Sequence, residues 1–215
     1  MTLIVAINLN NYIFLASDQR LTFECAPSTG LPTHIYQDGY SKIQYWQYGA
    51  IVMSGDVFLM DFFYQALISS AKSNDHNLDV IYIAQVALAA YLHLFLKPKQ
   101  IFGCAFFSIF TSEGMEIIHL SISDDVIKYE TIEPMHAHFS LFAGSPNDPI
   151  YQQLVNCLRK DKSFENFKDF YHYHAELLKY FFKRQRSFDE SITSTFDLFI
   201  QNKKNGKGFT QIIDN

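Results

Sequence analysis

Short runs of apolar residues alternate along the chain with longer stretches that have helical spacing. The first two runs, residues 3–8 and 12–18, are rich in β-branched and apolar side chains. They flank Asn10 and Asn11, a pair that favours a tight turn. This pattern predicts an antiparallel hairpin. If its strands pair, the end of the second strand returns to Thr2, at the start of the first.

The rest of the chain is predicted to alternate strands with pairs of helices. Pro27, Gly30 and Pro32 interrupt residues 21–40, which are therefore predicted to form a loop after a short strand. Further strands are predicted at residues 41–46, 50–54, 101–110, 115–120, 126–131, 138–143, 195–201 and 208–213. Helices are predicted at 57–72, 78–96, 150–158 and 164–183, the first with Asp56 as its N-cap. This order indicates an α+β fold. A four-layer αββα sandwich, two antiparallel sheets between helical layers, would bury all of these elements.

A long apolar run in the last quarter of the first hundred residues raises the question of whether the chain crosses a membrane. Residues 80–96 are apolar nearly all round, but the run is 17 residues long and contains Gln85 and His93. A bilayer needs about 20 apolar residues. We therefore expect no membrane span, and instead a helix buried between a sheet and a neighbouring subunit.

Composition limits the possible classes of protein. The 215 residues, 48% of them hydrophobic, predict one domain over 1–215 with a sizeable core. A net charge of −5 without a basic stripe argues against nucleic-acid binding. Cys25, Cys104 and Cys157 lack CxxC spacing, which favours a reducing compartment. Residues 3–7 do not resemble a signal peptide, so a cytoplasmic location is expected.

Neither a cofactor nor a metal ion is expected from the motifs. Glycine-rich phosphate-binding motifs do not occur in the sequence. His136 and His138 share a strand face, and His172 and His174 lie close in sequence, but neither pair has an evident third ligand. We expect these histidines to be ordinary polar positions.

Four segments together carry a family resemblance. Met1-Thr2, the segment ASDQR at residues 16–20, Ser41-Lys42-Ile43 and the strand 51–56 that enters an apolar helix occur in this order. In order and spacing they resemble proteasome β-subunits and their bacterial relatives, the N-terminal-nucleophile (Ntn) hydrolases. Among these relatives the chain resembles the bacterial Anbu-type branch in particular, also through residues 144–150. The resemblance covers about the first 70 residues well.

The resemblance implies a sandwich fold, a homo-oligomeric ring or related array, a peptide or unfolded-protein substrate and a possible ATPase partner. A Thr2 freed of Met1 can act as nucleophile and, through its own α-amine, as base. Residue by residue, the resemblance implies a catalytic group: Thr2, Asp18, Arg20, Lys42, Gly55, Ser145, Asp189 and Ser191. Lys42 would lower the pKa of the amine and hydroxyl of Thr2, and Asp18 would pair with Lys42.

The remaining residues have expected supporting roles. The N–H of Gly55 would stabilise an oxyanion. Asp189 and Ser191 would steady the terminal amine, although Thr193 or Ser194 could replace Ser191, and Ser145 matches the serine of a Gly-Ser segment in the family. Leu21 and Met53 would line a substrate pocket.

Each residue also has an ordinary explanation. Lys42 could be a surface lysine at a strand end, Asp18 and Arg20 a structural ion pair, and Gly55 a helix-entry glycine.

Taken together, these residues favour a threonine-type peptidase and leave two alternatives. One is an Ntn amidohydrolase that acts on a small amide, and the other is a catalytically inactive scaffold subunit, which a retained Met1 would favour.

Overall fold

The structure, a computed structural model, describes residues 2–24, 34–73, 78–95, 101–111, 114–140 and 149–215. Within these ranges the chain is a mixed α/β protein with twelve strands and four α-helices. The strands are β1 (Ile4–Asn8), β2 (Tyr12–Asp18), β3 (Leu21–Glu24), β4 (His34–Gln37), β5 (Ile43–Trp46), β6 (Gly49–Gly55), β7 (Phe102–Thr111), β8 (Gly114–Ser123), β9 (Val126–Thr131), β10 (His136–Ser140), β11 (Phe196–Asn202) and β12 (Gly208–Ile213). The helices are α1 (Val57–Ser73), α2 (Val80–Leu94), α3 (Pro149–Cys157) and α4 (Phe167–Arg186).

The strands form two five-stranded antiparallel sheets and one two-stranded ribbon. The first sheet has the order β10-β1-β2-β11-β12, the second the order β5-β6-β7-β8-β9, and the ribbon pairs β3 with β4. In the β1–β2 hairpin Ile4 pairs with Ser17, so the next residue, Asp18, lies beside Leu3. Asn10, in the turn, has a φ of 60°, a conformation that asparagine tolerates better than most residues.

Three clusters of buried apolar side chains hold the elements together. One joins the first sheet to α3 and α4, with Phe14 and Phe182 among its members. A second joins the second sheet to α1 and α2, with Phe63 and Phe107 among its members. The third contains residues of both sheets, such as Leu15 of β2 and Phe106 of β7. Because successive side chains of a strand point to opposite faces, β1 contributes to two clusters and is apolar at nearly every position.

The structure corrects the prediction for residues 21–40. The predicted short strand is β3, but residues 34–37 form β4, which pairs with it from Leu21↔Gln37 to Glu24↔His34. All four side chains of β4 are exposed, so no hydrophobic alternation marks this strand in the sequence. Residues 25–33, including Cys25, lie outside the described residues.

Helix boundaries also differ from the prediction, most of all at α4. This helix begins at Phe167 rather than at residue 164, because the side chain of Asn166 accepts a hydrogen bond from Asp169 N at 3.0 Å and caps it. The segment Asp161–Ser163 forms a short 3₁₀ turn instead. At α1 the predicted cap is present: Asp56 accepts hydrogen bonds from the backbone N–H groups of Phe58 and Leu59.

Helix α2 is buried on one side only. Val80, Ile83, Ala87 and Tyr91 are among its buried residues. Tyr82, Val86, Leu92 and Leu94 are exposed apolar side chains. Among the helices described, α2 included, none has the length and apolar character needed to cross a membrane.

His174 of α4 is buried as a neutral imidazole. Its Nδ1–H donates to the carbonyl oxygen of Phe170 at 2.8 Å, and its Nε2 accepts from Arg159 N at 3.3 Å. Burial lowers the pKa of His174 below its usual value, because the charged imidazolium would lose its hydration. A second ring proton, on Nε2, would also point at the backbone N–H of Arg159 instead of at an acceptor.

We predict that His174 makes stability depend on pH. Its folded-state pKa is below the unfolded value of about 6.5, so the unfolded state takes up the proton first and stability falls as pH decreases through that range. In urea unfolding between pH 7 and 5, His174→Gln should show a shallower loss of stability than the wild type, and the exposed His172→Gln should not. Equal slopes in all three proteins would contradict this assignment.

Candidate active site

Asp18 ends β2 as a fully buried carboxylate with four hydrogen bonds. Lys42 Nζ donates to its two oxygens at 2.9 and 3.0 Å. Leu3 N donates to Oδ1 at 2.8 Å, and Arg20 N donates to Oδ2 at 3.0 Å. A buried carboxylate is tolerated when it is paired and hydrogen-bonded in this way. The hairpin register supplies the Leu3 bond, because it places the start of β1 beside Asp18.

Lys42 directly precedes β5 and is only 8% exposed. Besides Asp18, its ammonium donates to Thr2 Oγ1 at 3.1 Å. Burial lowers the pKa of Lys42, and the charge of Asp18 opposes this shift. Thr2 itself is half-buried. A poorly hydrated cation therefore contacts the Thr2 hydroxyl, and we call Thr2, Asp18 and Lys42 the Thr2 site.

The side chain of Arg20 forms its hydrogen bonds with residues other than Asp18. Its guanidinium forms a paired contact with Asp38, with Nε and Nη2 each 2.6 Å from a carboxylate oxygen. Nη1 donates to the carbonyl oxygen of Glu190, and the guanidinium lies 4.9 Å from the ring centroid of Tyr36. Arg20 thus contacts Asp18 through its backbone alone and ties the segment after β4 to the turn after α4.

A second buried carboxylate lies next to the Thr2 site and was not among the predicted residues. Asp197 of β11 accepts a hydrogen bond from Gln19 Nε2 at 2.6 Å, and its charge acts to raise the pKa of Lys42. Gln19 N donates to Thr193 Oγ1 at 2.9 Å, which fixes the chain just after Asp18. The one sequence signal for Asp197 was a lone acidic residue within the apolar run 196–200.

Gly55 ends β6, where the strand turns into α1. Its φ of 107° favours glycine, and a Cβ there would collide with the carbonyl oxygen of Phe102 on β7. Gly55 is exposed, so its backbone is accessible to a ligand. Leu21 and Met53, the predicted pocket residues, are both half-buried, on β3 and β6 respectively.

Three predicted site residues, Ser145, Asp189 and Ser191, come from the second half of the chain. None of the hydrogen bonds described for Asp189 and Ser191 is to Thr2, Asp18 or Lys42. Asp189 and Ser191 lie in the turn after α4, and the Asp189 carboxylate accepts a hydrogen bond from Ser191 N at 2.8 Å. Ser191 Oγ is buried and finds no hydrogen-bond partner among the residues that the structure describes. This turn reaches the Thr2 site through Glu190 and Arg20. Ser145 lies outside the described residues.

We predict that the buried Asp18–Lys42 pair contributes more to stability than the Arg20–Asp38 pair at the surface. Asp18→Asn leaves the buried Lys42 ammonium without a countercharge and should lower the free energy of unfolding by about 3 to 5 kcal/mol. Asp38→Asn, at the exposed partner of Arg20, should cost about 0 to 1 kcal/mol. Urea unfolding at pH 7 measures both. Equal costs would show that the Asp18–Lys42 pair is not the buried charge pair described.

Comparison with known proteins supports the fold. No protein-family model matches the sequence, and no curated protein matches it. Among solved structures, "Anbu (ancestral beta-subunit) from Yersinia bercovieri" matches with a TM-score of 0.58 and 10% sequence identity, over 97% of this chain and 86% of that chain. This agrees with the resemblance to proteasome β-subunits seen in the sequence. At this identity the chain is similar to that protein in fold.

Proposed function

We propose that this chain is a threonine-type peptidase of the proteasome-like class, with Thr2 as its nucleophile after removal of Met1. The hydrogen bond from the buried Lys42 ammonium to Thr2 Oγ1, at 3.1 Å, carries the proposal. This contact places a poorly hydrated cation at the hydroxyl that the sequence resemblance makes the nucleophile. The fold likeness to an ancestral β-subunit supports the same function.

The proposed reaction begins at the Thr2 hydroxyl. The α-amine of Thr2 accepts the hydroxyl proton while Oγ1 attacks the carbonyl carbon of a peptide bond. The nearby Lys42 ammonium favours the developing alkoxide. The N–H of Gly55 stabilises the oxyanion of the tetrahedral intermediate.

Collapse of this intermediate completes the acyl transfer. The protonated α-amine gives its proton to the leaving amine as the peptide C–N bond breaks, which leaves an ester on Oγ1. Water, deprotonated by the same amine, then attacks the ester carbonyl. The amine returns this proton to Oγ1 as the C–Oγ1 bond breaks, so that the acyl group leaves as a carboxylic acid and Thr2 is regenerated. Asp18 does not exchange protons in this scheme and keeps the Lys42 ammonium in position through two hydrogen bonds.

The proposal extends to substrate binding. An extended peptide or unfolded segment would add as a strand beside the site, so that its main chain supplies most of the hydrogen bonds. Leu21 and Met53 would line the side-chain pocket. Ser191, whose buried hydroxyl has no hydrogen-bond partner among the described residues, and Asp189 would help to hold the free α-amine. Ser145 remains a proposed member of the catalytic group through its match to the Gly-Ser segment of the family.

We also propose the assembly implied by this class. The chain would form a single domain, and its three apolar clusters would be the interiors of a four-layer αββα sandwich. Copies would associate into a ring or related array in the cytoplasm through apolar surface such as Val86 and Leu92 of α2. An ATPase partner would deliver unfolded substrate.

We predict that a peptide epoxyketone, which reacts with a hydroxyl and an adjacent free amine, labels residue 2. Intact mass first establishes the fraction of protein that lacks Met1, and peptide mapping then locates the adduct. Labelling and peptide hydrolysis should be lost in Thr2→Ala and retained in Thr22→Ala. Thr2→Ser keeps the hydroxyl and should retain labelling.

Two outcomes would contradict the proposal that the chain is a peptidase. Absence of labelling on folded protein that lacks Met1 would favour the inactive scaffold subunit. Labelling of Thr2 with hydrolysis of small amides but not of peptides would favour the amidohydrolase.

A further inference from the structure

A second cluster of polar side chains lies outside the Thr2 site, where the two large sheets meet at their edges. It contains His119 of β8, Glu130 of β9 and His138 of β10. His119 and Glu130 are directly opposite each other on neighbouring strands of the second sheet. His138 comes from the edge strand of the first sheet. We call these three residues the histidine cluster.

Three donor atoms converge in the histidine cluster. His119 Nδ1 lies 3.1 Å from Glu130 Oε1, His138 Nδ1 lies 3.2 Å from the same oxygen, and the two Nδ1 atoms are 3.3 Å apart. Zinc binds imidazole nitrogen and carboxylate oxygen at about 2.0 to 2.2 Å with tetrahedral angles, which separates its ligand atoms by about 3.3 to 3.6 Å. The three atoms thus form a nearly equilateral triangle whose edges, 3.1 to 3.3 Å, are at or slightly below the ligand separation of a zinc shell, so that binding needs each atom to move by only a few tenths of an ångström.

We propose that His119, Glu130 and His138 bind one Zn²⁺ ion through these three atoms, with water in a fourth position. Two imidazoles and a carboxylate favour zinc over calcium or magnesium, which prefer shells of oxygen ligands. Two of the three ligands, His119 and Glu130, also line a surface groove together with Ser121 and Lys128. Glu130, with 61% of its side chain exposed, leaves the ion accessible from solvent.

The surroundings of His119 fit this role. Its ring stacks on Phe106, with ring centroids 4.4 Å apart and an interplanar angle of 13°. Its other nitrogen, Nε2, lies 3.4 Å from Cys104 Sγ. With Nδ1 on the metal, Nε2 carries the proton and donates a hydrogen bond to this sulfur. Such a contact to the second ring nitrogen fixes the tautomer and orientation of a histidine ligand.

The sequence did not predict this site, because its ligands come from three strands. His138 was considered there only with His136. In the structure His136 Nδ1 lies 3.1 Å from the carbonyl oxygen of Pro134, outside the histidine cluster. A bound ion would connect β9 to β10 and so hold the edges of the two sheets together.

Metal titration of the full-length protein tests the proposal. After treatment with a chelator, the wild type should bind one equivalent of Co²⁺ with the intense visible absorption of a four- or five-coordinate ion, and Zn²⁺ should displace it. His138→Gln and Glu130→Gln should each weaken binding at least about 10-fold. His136→Gln, on the same strand as His138, is the matched control and should bind like the wild type.

An ordinary hydrogen-bonded cluster gives the opposite result. If both imidazoles only donate Nδ1–H to Glu130, the folded wild type takes up no metal, and the proposal is overturned. Binding that survives in His138→Gln and Glu130→Gln, or that is lost equally in His136→Gln, overturns it as well. Should a variant fail to fold, X-ray absorption of the zinc-loaded wild type decides: two imidazole ligands are expected, and none would refute the site.

Discussion

The buried ion pair between Asp18 and Lys42 is the interaction on which the candidate active site depends. Taking both charges out of water is costly, and their attraction offsets that cost only when the remaining hydrogen-bonding capacity is satisfied. Here two backbone N–H groups complete the carboxylate, and the Thr2 hydroxyl accepts from the ammonium. Because Asp18 ends a strand of the first sheet and Lys42 precedes a strand of the second, the pair also ties the two sheets together.

The same pair fixes the start of the chain. Leu3 donates its N–H to the Asp18 side chain and accepts the Asp18 N–H through its carbonyl, so the backbone next to Thr2 is held on both sides. Thr2 is a β-branched residue with restricted rotation about χ1. Its hydroxyl therefore has few orientations, and one of them contacts Lys42. Position and charge at this hydroxyl thus come from one buried network.

The sequence predicted two kinds of feature: elements formed by residues close together in the chain, and site residues that stand in short segments of recognisable order. The β1–β2 hairpin followed from two apolar runs around an asparagine pair, and Thr2, Asp18 and Lys42 were identified through the order of short segments. Strand β4 was missed because all its side chains are exposed. Asp197 and the histidine cluster were missed for another reason. Their partners lie on other strands, and only the pairing of strands and the packing of the two sheets bring them together.

The most direct test of the central claim is the rate of epoxyketone labelling at Thr2 in Lys42→Met, which keeps the length of the side chain and removes its charge. It is compared with the wild type at equal removal of Met1, after circular dichroism has shown that both are folded. The account predicts a rate at least about 10²-fold lower, within the range of a positioned proton-transfer or charge effect. Equal rates would contradict it, because Thr2 would then react without help from Lys42.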